Sequence, residues 1–570
     1  MSLYFKGKKG MKNHAAYIFI SGGVISGIGK GVTASSIGAL LKARSYRVTI
    51  IKCDAYLNVD AGTIRPQEHG EVFVTIDGEE CDQDIGHYER FLHENLIENN
   101  YITNGKLYQE IIRKERNLEY EGEDVEVALH VPEELIRRIK HVQKETNAEI
   151  VIIEIGGTVG EYQNILFIET NKIMKYRMKD NVIHIHVGYL PIPKHLGEMK
   201  SKPLQNSVRI LNSSGIQPDF LVGRSEKDLD KPRRDRLEWF CNVDGGSVIS
   251  NPDLHSIYEV PLVFARQNFD KKILRKLNLP LRVSNVRKWR KLVSKIKAPK
   301  KDTINIAIVG KYFDIGSSEL SDSYISVVEA VKHASWELGI ETNMTWIESE
   351  KFEKRSNSLK ALDRYDGIIV PGGFGKRGIP GILRAIEYAR IHKVPYLGLC
   401  YGMQLAIVEF ARNILKLSHA HTTEVLERTK YPVIDLMENQ KKHMKEGLLG
   451  GTMRLGNWSA KLNRGSLVYD WYKREKQLPA NRVILERHRH RYEFNNAYKN
   501  RFEKKGVVFS GINPDTDLVE IYELAPSLHP FFIGTQYHPE FSSKPMRPHP
   551  LFTGFLSYAL AKQKRSNPSN

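Results

Sequence analysis

Cysteine is scarce. The chain has four in 570 residues, Cys53, Cys81, Cys241 and Cys400, and none stands at a paired spacing. That excludes a disulfide framework or a zinc ribbon and points to a reducing, cytoplasmic compartment. Long apolar runs are missing too: none reaches the roughly 20 residues of a membrane-crossing helix, so no membrane partner is expected. The opening residues, MSLYFKGKKGMKNHAA, are basic but lack the apolar core of a secretory signal, and residues 1–12 read as a basic tail. Acid is short relative to base: 67 Asp and Glu against 85 Lys and Arg leave a formal charge of +18. Such a balance favours acidic partners, whether nucleic acid, membrane surface or nucleotides. Much of the excess is local. Residues 271–301 hold thirteen Lys and Arg and no acid. They read as a solvated helix and linker rather than a nucleic-acid surface, because Trp289 is their lone aromatic residue and no RNA-binding aromatic motif accompanies it.

What is present is length enough for two to four domains and alternating strand and helix patterns. Ala16–Ile20 reads as a strand, Val32–Arg44 as a helix and Arg47–Lys52 as a second strand, a βαβ opening that implies a parallel sheet. Between strand and helix lies SGGVISGIGKG, Ser21–Gly31. Its glycines let backbone N–H groups approach phosphate oxygens, the helix N-terminus adds positive potential, and Lys30 can reach the outer phosphates. It is not a strict Walker A loop, since Gly31 stands where Ser or Thr would bind magnesium. Carboxylates must then come from elsewhere. Glu154 closes the strand Glu149–Ile155, and a carboxylate at that end of a parallel strand faces the ligand crevice. Asp82 and Asp84 lie in DGEECDQDIGHYERF. Two hard oxygens plus phosphates suit Mg²⁺, although Asp82 alone reads better as a surface acid. Lys52, at the end of its strand, also points to the crevice. The turn EMKSKPLQ, Glu198–Gln205, carries two lysines around a proline; it suits a second triphosphate and equally a solvated loop.

Thr303–Val309 begins a second α/β domain. Asp366–Gly375 runs from strand into a Gly-rich turn, which can aim an N–H at a carbonyl oxygen. In VPYLGLCYGMQ, a strand over Val394–Leu399 meets a helix from Met403, placing Cys400 at a sharp corner between Gly398 and Gly402. A thiol there is either a nucleophile at a helix N-terminus or a buried structural cysteine. FFIGTQYHPE, Phe531–Glu540, puts His538 and Glu540 two apart on a strand, and so on one face. Base and orienting carboxylate would complete a Cys-His-Glu triad. His488 and His490 in ERHRHRYE are rival bases, though their alternation with arginines looks more like an anion-binding or structural edge. The last residues, 561–570, read as a disordered tail.

From about Ala16 to Lys562 the chain resembles the CTP synthase family. The resemblance rests on SGGVISGIGKG, NVDAGTIRPQEHGEVFV, DIGHYERF, EIGGTVG, PGGFG, G-x-C-x-G, GGTMRLG, ERHRHRYE and H-P-E, in that order. It implies an α/β protein: a dethiobiotin-synthetase-like P-loop synthase domain over residues 13–270, a basic linker over 271–302 and a class I glutamine amidotransferase domain over 303–560. The implied reaction converts UTP, ATP and L-glutamine to CTP, ADP, phosphate and glutamate with Mg²⁺. Cys400, His538 and Glu540 would be the glutaminase triad, with Gly373 and Tyr401 N–H groups on the oxyanion. Glutamine contacts fall at Gly373, Tyr401, Gly402, Met403, Gln404, Glu424 and Arg491. The ATP positions are Gly27, Ile28, Gly29, Lys30, Gly31, Val32, Lys52, Asp84, Asp253 and Leu254; Asp84 and Glu154 are the magnesium positions. The UTP and CTP positions are Ser26, Glu161, Tyr162, Gln163, Lys200, Ser201, Lys202, Pro203, Leu204, Gln205 and Arg236. Pro66, His69 and Val72 would line an ammonia passage, and Phe374 and Arg454, the latter in a Gly450–Gly456 lid, would meet the activator GTP. The family forms homotetramers, and some members form filaments.

The chain departs from the family pattern at several points. GGTVGEYQN at Gly156–Asn164 replaces GGTVGDIES in the stretch tied to CTP feedback. Leu204 stands for Thr in the lysine loop, Arg236 for Lys, Tyr401 for Leu beside the nucleophile, and HTTEV for NSTEF at His421–Val425. A cobyrinic-acid amide synthase shares both domain types, but NVDAGT, HGEVFV and DIGHYERF favour the uracil enzyme. A GMP synthetase lacks support because Ile25 and Ser26 stand where its loop needs Asp-Ser. A nucleotide-binding scaffold or nucleic-acid-binding protein, using the basic surface without turnover, is the remaining alternative, and the intact triad and paired carboxylates speak against it.

Overall fold

Strands Ala16–Gly22, Val48–Asp54 and Ile150–Ile155 are buried along their whole length, as apolar runs covered on both faces must be. The computed structural model describes residues 15–65, 68, 70–311, 314–315, 318–319, 321–353, 356–437, 440 and 450–566. Two compact units account for them: residues 1–59 with 99–290, and residues 60–98 with 291–570.

In the first unit a seven-stranded sheet runs Tyr101–Thr103, Val48–Asp54, Ile150–Ile155, Ala16–Gly22, Val182–Tyr189, Phe220–Ser225, Val248–Pro252. Every pairing is parallel. Ala16–Gly22 lies between Ile150–Ile155 and Val182–Tyr189, where the order reverses, so the glycine loop after Gly22 leaves the sheet at a switch point. The following helix is Lys30–Ala43, entered through Gly29 at φ 88°, a left-handed conformation that glycine adopts without strain.

The second unit holds a nine-stranded sheet ordered Glu341–Glu348, Thr303–Gly310, Gly367–Val370, Tyr396–Leu399, Phe532–Thr535, Val519–Leu524, Val507–Ile512, Arg454–Leu462, Val483–His490. The first five strands are parallel and the rest antiparallel. Register decides what this sheet presents: Val370 pairs with Gly398, and Leu399 with Thr535. Three neighbouring parallel strands therefore end together, releasing PGGFG, Cys400 and the His538 turn at one edge. Apolar layers close both faces, one including Ile382, Met403 and Phe410, the other Val331, Phe552 and Phe555.

Three boundaries differ from those read in the sequence. Residues 60–98, assigned above to the synthase domain, pack with the C-terminal unit. Their hairpin Val72–Val74/Glu80–Asp82 puts Phe73 4.8 Å from Phe541, ring to ring, and Glu89 in their helix pairs with Arg487; sequence distance hides such contacts from a local pattern. The basic linker is not wholly solvated: it holds the helices Phe269–Lys276 and Arg287–Lys297, and Trp289, Leu292, Val293 and Ile296 are buried. The last helix, Pro550–Ser566, runs on past residue 560, with Lys562 donating to the Tyr365 carbonyl at 3.0 Å, so residues 561–566 are helical where a tail was expected. Pro66, His69 and residues 1–12 lie outside the described residues.

Candidate active site

Strand Tyr396–Leu399 ends at Cys400, whose backbone sits at φ 47°, ψ −96°. A non-glycine residue rarely occupies that region unless its surroundings force it. Helix Tyr401–Asn413 starts immediately after. The glycines make the corner possible: a Cβ on Gly402 would lie 2.2 Å from the Val370 carbonyl oxygen, and one on Gly398 2.8 Å from the Gly402 carbonyl carbon. Cys400 is therefore held at a helix N-terminus, where the N–H groups favour negative charge.

His538 and Glu540 are not on a strand, contrary to the reading above. Strand Phe532–Thr535 stops short, and His538 precedes a short helix, Pro539–Ser542. Pro539 has no N–H for a ladder and suits the first helical position. The turn, not strand alternation, brings His538 Nδ1 to 2.7 Å from Glu540 Oε1. Phe541 stacks on the imidazole with ring centroids 5.0 Å apart. Burial pushes the His538 imidazole down, but the Glu540 carboxylate and the Cys400 sulfur outweigh it and raise the group to about 10. At neutral pH the ring is thus a cation between a carboxylate and a sulfur, the setting a thiolate nucleophile needs.

A cavity of about 80 Å³ brings Cys400, His538 and Glu540 together with Gly372, Gly373 and Phe374. Gly372 is pressed so close that a Cβ there would lie 2.8 Å from His538 Cε1. The rival bases take another path. His488 and His490 lie 3.0 Å apart, Nδ1 to Nε2, inside the strand Val483–His490, and burial first, then Arg454, holds both well below the usual histidine range. Arg454 itself, expected on a lid, begins the strand Arg454–Leu462, is 3% exposed and pairs with Glu520 at 2.6 Å. Enclosure and a carboxylate partner leave it facing the protein interior.

The other expected glutamine residues surround this edge. Glu424 accepts from the Gly375 N–H at 2.7 Å, and burial raises its carboxyl. Gln404 donates to the Tyr492 carbonyl at 2.8 Å, Arg491 to Thr452 Oγ1 at 2.9 Å, and Met403 is buried. Val72 lines the cavity, while Phe374 is half exposed beside it. Sequence reasoning missed four further groups. Glu71 and Tyr324 also line the cavity. Gln536 Nε2 lies 3.6 Å from Cys400 Sγ, and Lys311 donates to the Gly375 carbonyl at 2.7 Å. Lys311 follows the parallel strand Thr303–Gly310, and that position at the carboxyl edge could have identified it.

In the first unit Lys30 Nζ donates to the Gly157 carbonyl at 2.8 Å, and Lys52 Nζ lies 3.1 Å from Glu154 Oε1 and 3.7 Å from Asp54 Oδ1. The loop lysine and the strand-end lysine and acid thus meet at the switch point, and Asp54 joins them unforeseen. Ser26 and Gly27 are exposed at the loop tip. Arg224 links the loop to Asp253, 3.6 Å from a Gly29 Cβ and 2.9 Å from Asp253 Oδ1, with Leu254 half-buried next to it. Lys202 and Arg236 share the Phe240 ring, at 5.8 and 5.7 Å. Lys200 pairs with Glu198, and Ser201 Oγ accepts from Gln205. Glu161 accepts from the Thr158 N–H at 2.9 Å, with Tyr162 and Gln163 exposed beyond it. Leu204, expected among the UTP positions, has its side chain fully buried with Leu190, Val208 and Leu221, on the inner face of helix Lys202–Ser213. Asp84 lies in the other compact unit, where its N–H binds Asp82 Oδ1 at 2.8 Å at the start of helix Gln83–Leu92. Asp82 is buried as that helix's cap rather than a surface acid. Glu154 presents a hard carboxylate oxygen beside Lys52, a donor type that suits Mg²⁺; among the described residues no group of three or more His, Cys, Asp or Glu is placed to hold a metal ion.

The family description "CTP synthase N-terminus" matches residues 16–279, and "Glutamine amidotransferase class-I" matches residues 319–558. The chain is 48% identical over 547 residues to a CTP synthase of Caldanaerobacter subterraneus, covering 96% of this chain and 98% of that one. It is 46% identical over 550 residues to a CTP synthase of Clostridium acetobutylicum, covering 96% and 99%. Among solved structures, the glutaminase domain of Trypanosoma brucei CTPS with bound acivicin is 34% identical, covers 45% of this chain and 93% of that one, and has a TM-score of 0.40.

Proposed function

The chain belongs to the CTP synthase family, and from that premise we propose that it makes CTP in two linked reactions, one in each half. The carrying observation is the meeting of Cys400, at its left-handed corner, with the His538–Glu540 pair in one cavity. In the glutaminase half, Cys400 Sγ attacks the side-chain carbonyl of glutamine. The Gly373 and Tyr401 N–H groups receive the oxyanion, worth about 3 kcal/mol per donor in comparable sites. His538 passes its proton to the departing ammonia, leaving a thioester, then takes a proton from the water that releases glutamate; Glu540 keeps the ring oriented. Glu424, Gln404 and Arg491 hold the amino-acid end of the substrate.

In the synthase half, Lys30 and the Gly27–Val32 backbone hold ATP phosphates while its γ-phosphoryl moves to the uracil 4-oxygen, releasing ADP. Ammonia then adds at C4 and phosphate leaves. Lys52 neutralises charge beside this transfer, and Ser26, Lys200, Lys202, Gln205 and Arg236 receive UTP. Glu154 would hold Mg²⁺ beside the ATP phosphates, and the ion would screen their charge. Val72, on the glutaminase cavity, supports an internal route for ammonia. We further assign GTP activation to the surface around Phe374, CTP feedback to Glu161–Gln163, and self-assembly to a homotetramer.

The test is direct. Incubation with UTP, ATP, Mg²⁺ and glutamine is expected to produce CTP by its ultraviolet shift. Absence of CTP with both glutamine and ammonium chloride would overturn the assignment.

A further inference from the structure

The Gly372–Gly375 turn is held by side chains that the glutaminase chemistry does not itself consume. Tyr401 donates from its hydroxyl to the Gly375 carbonyl at 2.8 Å. Lys311 Nζ donates to the same oxygen at 2.7 Å and to the Phe374 carbonyl at 3.3 Å. The two donors also touch each other, with the ammonium 4.7 Å from the centre of the Tyr401 ring, a cation–π contact made stronger by burial. Both side chains are nearly enclosed, 2% and 3% exposed. On the other side of the same peptide, the Gly375 N–H is taken by Glu424, and Tyr324 donates to the Gly372 carbonyl at 3.2 Å. Gly375 sits at φ 79°, a conformation that leaves the turn free to reorient unless its carbonyls are tied.

We propose that the Tyr401 phenol and the Lys311 ammonium are positioning residues, which fix the Gly372–Gly375 turn so that its N–H groups are pre-set for the oxyanion formed at Cys400. The inference rests on the glutaminase reading. It assigns a purpose to a side chain that is Leu in the family pattern, where a phenol bond cannot form. Preorganised donors stabilise a transition state because they need not reorient as charge develops; a loosened turn should therefore lower kcat for glutamine hydrolysis with little change in KM.

The clamp also carries a pH signature. Lys311 is faced by Glu424, Arg377, the Tyr401 ring and the Tyr324 hydroxyl. Burial lowers its ammonium to about 8, Glu424 opposing and Arg377 reinforcing the shift. The charge-assisted bond is full below that value and weakens above it.

The experiment measures glutamate release by the full chain from pH 6 to 10. Tyr401→Phe, which removes only the hydroxyl, is expected to lower kcat about fivefold, the worth of one hydrogen bond, with KM within twofold. Wild type should lose rate above about pH 8, and Lys311→Arg, charged throughout, should move that limb up toward pH 10, where His538 loses its proton. Unfolding midpoints separate loss of fold from loss of rate. A Tyr401→Phe enzyme with wild-type kcat, or an alkaline limb that Lys311→Arg leaves in place, overturns the clamp alone. A wild-type chain that releases no glutamate overturns the glutaminase reading with it.

Discussion

Arg487 donates from Nη2 to Glu89 Oε2 at 2.7 Å, with both side chains 1% exposed. The same guanidinium donates to the Val74 carbonyl and to Asn95 Oδ1, and lies over the Phe73 ring. One arginine on the sheet-edge strand Val483–His490 thus gathers a hairpin, a helix and a loop from residues 60–98, almost four hundred positions earlier. Removing one member of such a pair leaves a buried charge, which costs about 3–5 kcal/mol, whereas replacing both with apolar groups costs far less. Glu89→Ala should lower the unfolding midpoint of the C-terminal unit markedly, and Glu89→Ala with Arg487→Met should recover part of the loss. A double variant less stable than Glu89→Ala would contradict this account.

Cys400→Ala separates the two reactions. The variant should release no glutamate and make no CTP from glutamine, yet still make CTP when ammonium chloride supplies ammonia. The corner itself tolerates the change poorly but not prohibitively, because alanine at φ 47° carries the strain already carried by cysteine. Loss of both activities in a folded variant would refute the division of labour between the halves.

Much of this site could be read from the sequence because its parts are local. A strand, a Gly-x-Cys-x-Gly corner and a helix specify the Cys400 backbone within nine residues, and the glycine clearances show why. The alternating apolar runs likewise yielded the parallel strands around Ala16–Gly22 and Tyr396–Leu399. What periodicity could not carry was proximity between distant segments. Residues 60–98 read as part of the first domain because nothing local marks Glu71, Phe73 or Glu89 as partners of Ser326, Phe541 and Arg487. The His538–Glu540 pair was found by residue type but given the wrong backbone, since two-residue spacing aligns side chains on a strand and a capping turn can align them as well. Leu204 pulls two ways: its motif position points to UTP, while its helical phase puts its side chain in the core.

Leu204→Thr tests that last point. If position 204 contacted UTP, restoring the hydroxyl of the family pattern should tighten UTP binding. The structure predicts the reverse balance. Leu204 fills space against Gly188, where a glycine Cβ would come within 2.0 Å of Leu204 Cδ1, and threonine would leave a void and bury a hydroxyl. A loss of about 2–4 kcal/mol in stability is expected, with the KM for UTP unchanged at a temperature where the variant is folded. A fall in that KM would return Leu204 to the UTP site.

The His538 shift makes a prediction for stability as a function of pH. Its folded value, about 10, lies above the roughly 6.5 of an unfolded chain. The folded state therefore holds this proton more tightly, and the resulting stabilisation is complete below about pH 6.5 and lost as pH rises through 10. His538→Gln cannot bind the proton in either state. The gap in unfolding midpoint between wild type and His538→Gln should be widest below about pH 6.5, narrow steadily toward pH 10 and then flatten. Glu540→Gln removes the carboxylate that most strongly opposes burial, so in that background the narrowing should finish at lower pH. The Cys400 sulfur helps to raise His538, so each comparison is repeated with Cys400→Ala on both sides. A gap independent of pH from 6 to 10 in both backgrounds would mean that the imidazole is neutral in the folded protein, and that Glu540 orients the ring without holding its charge.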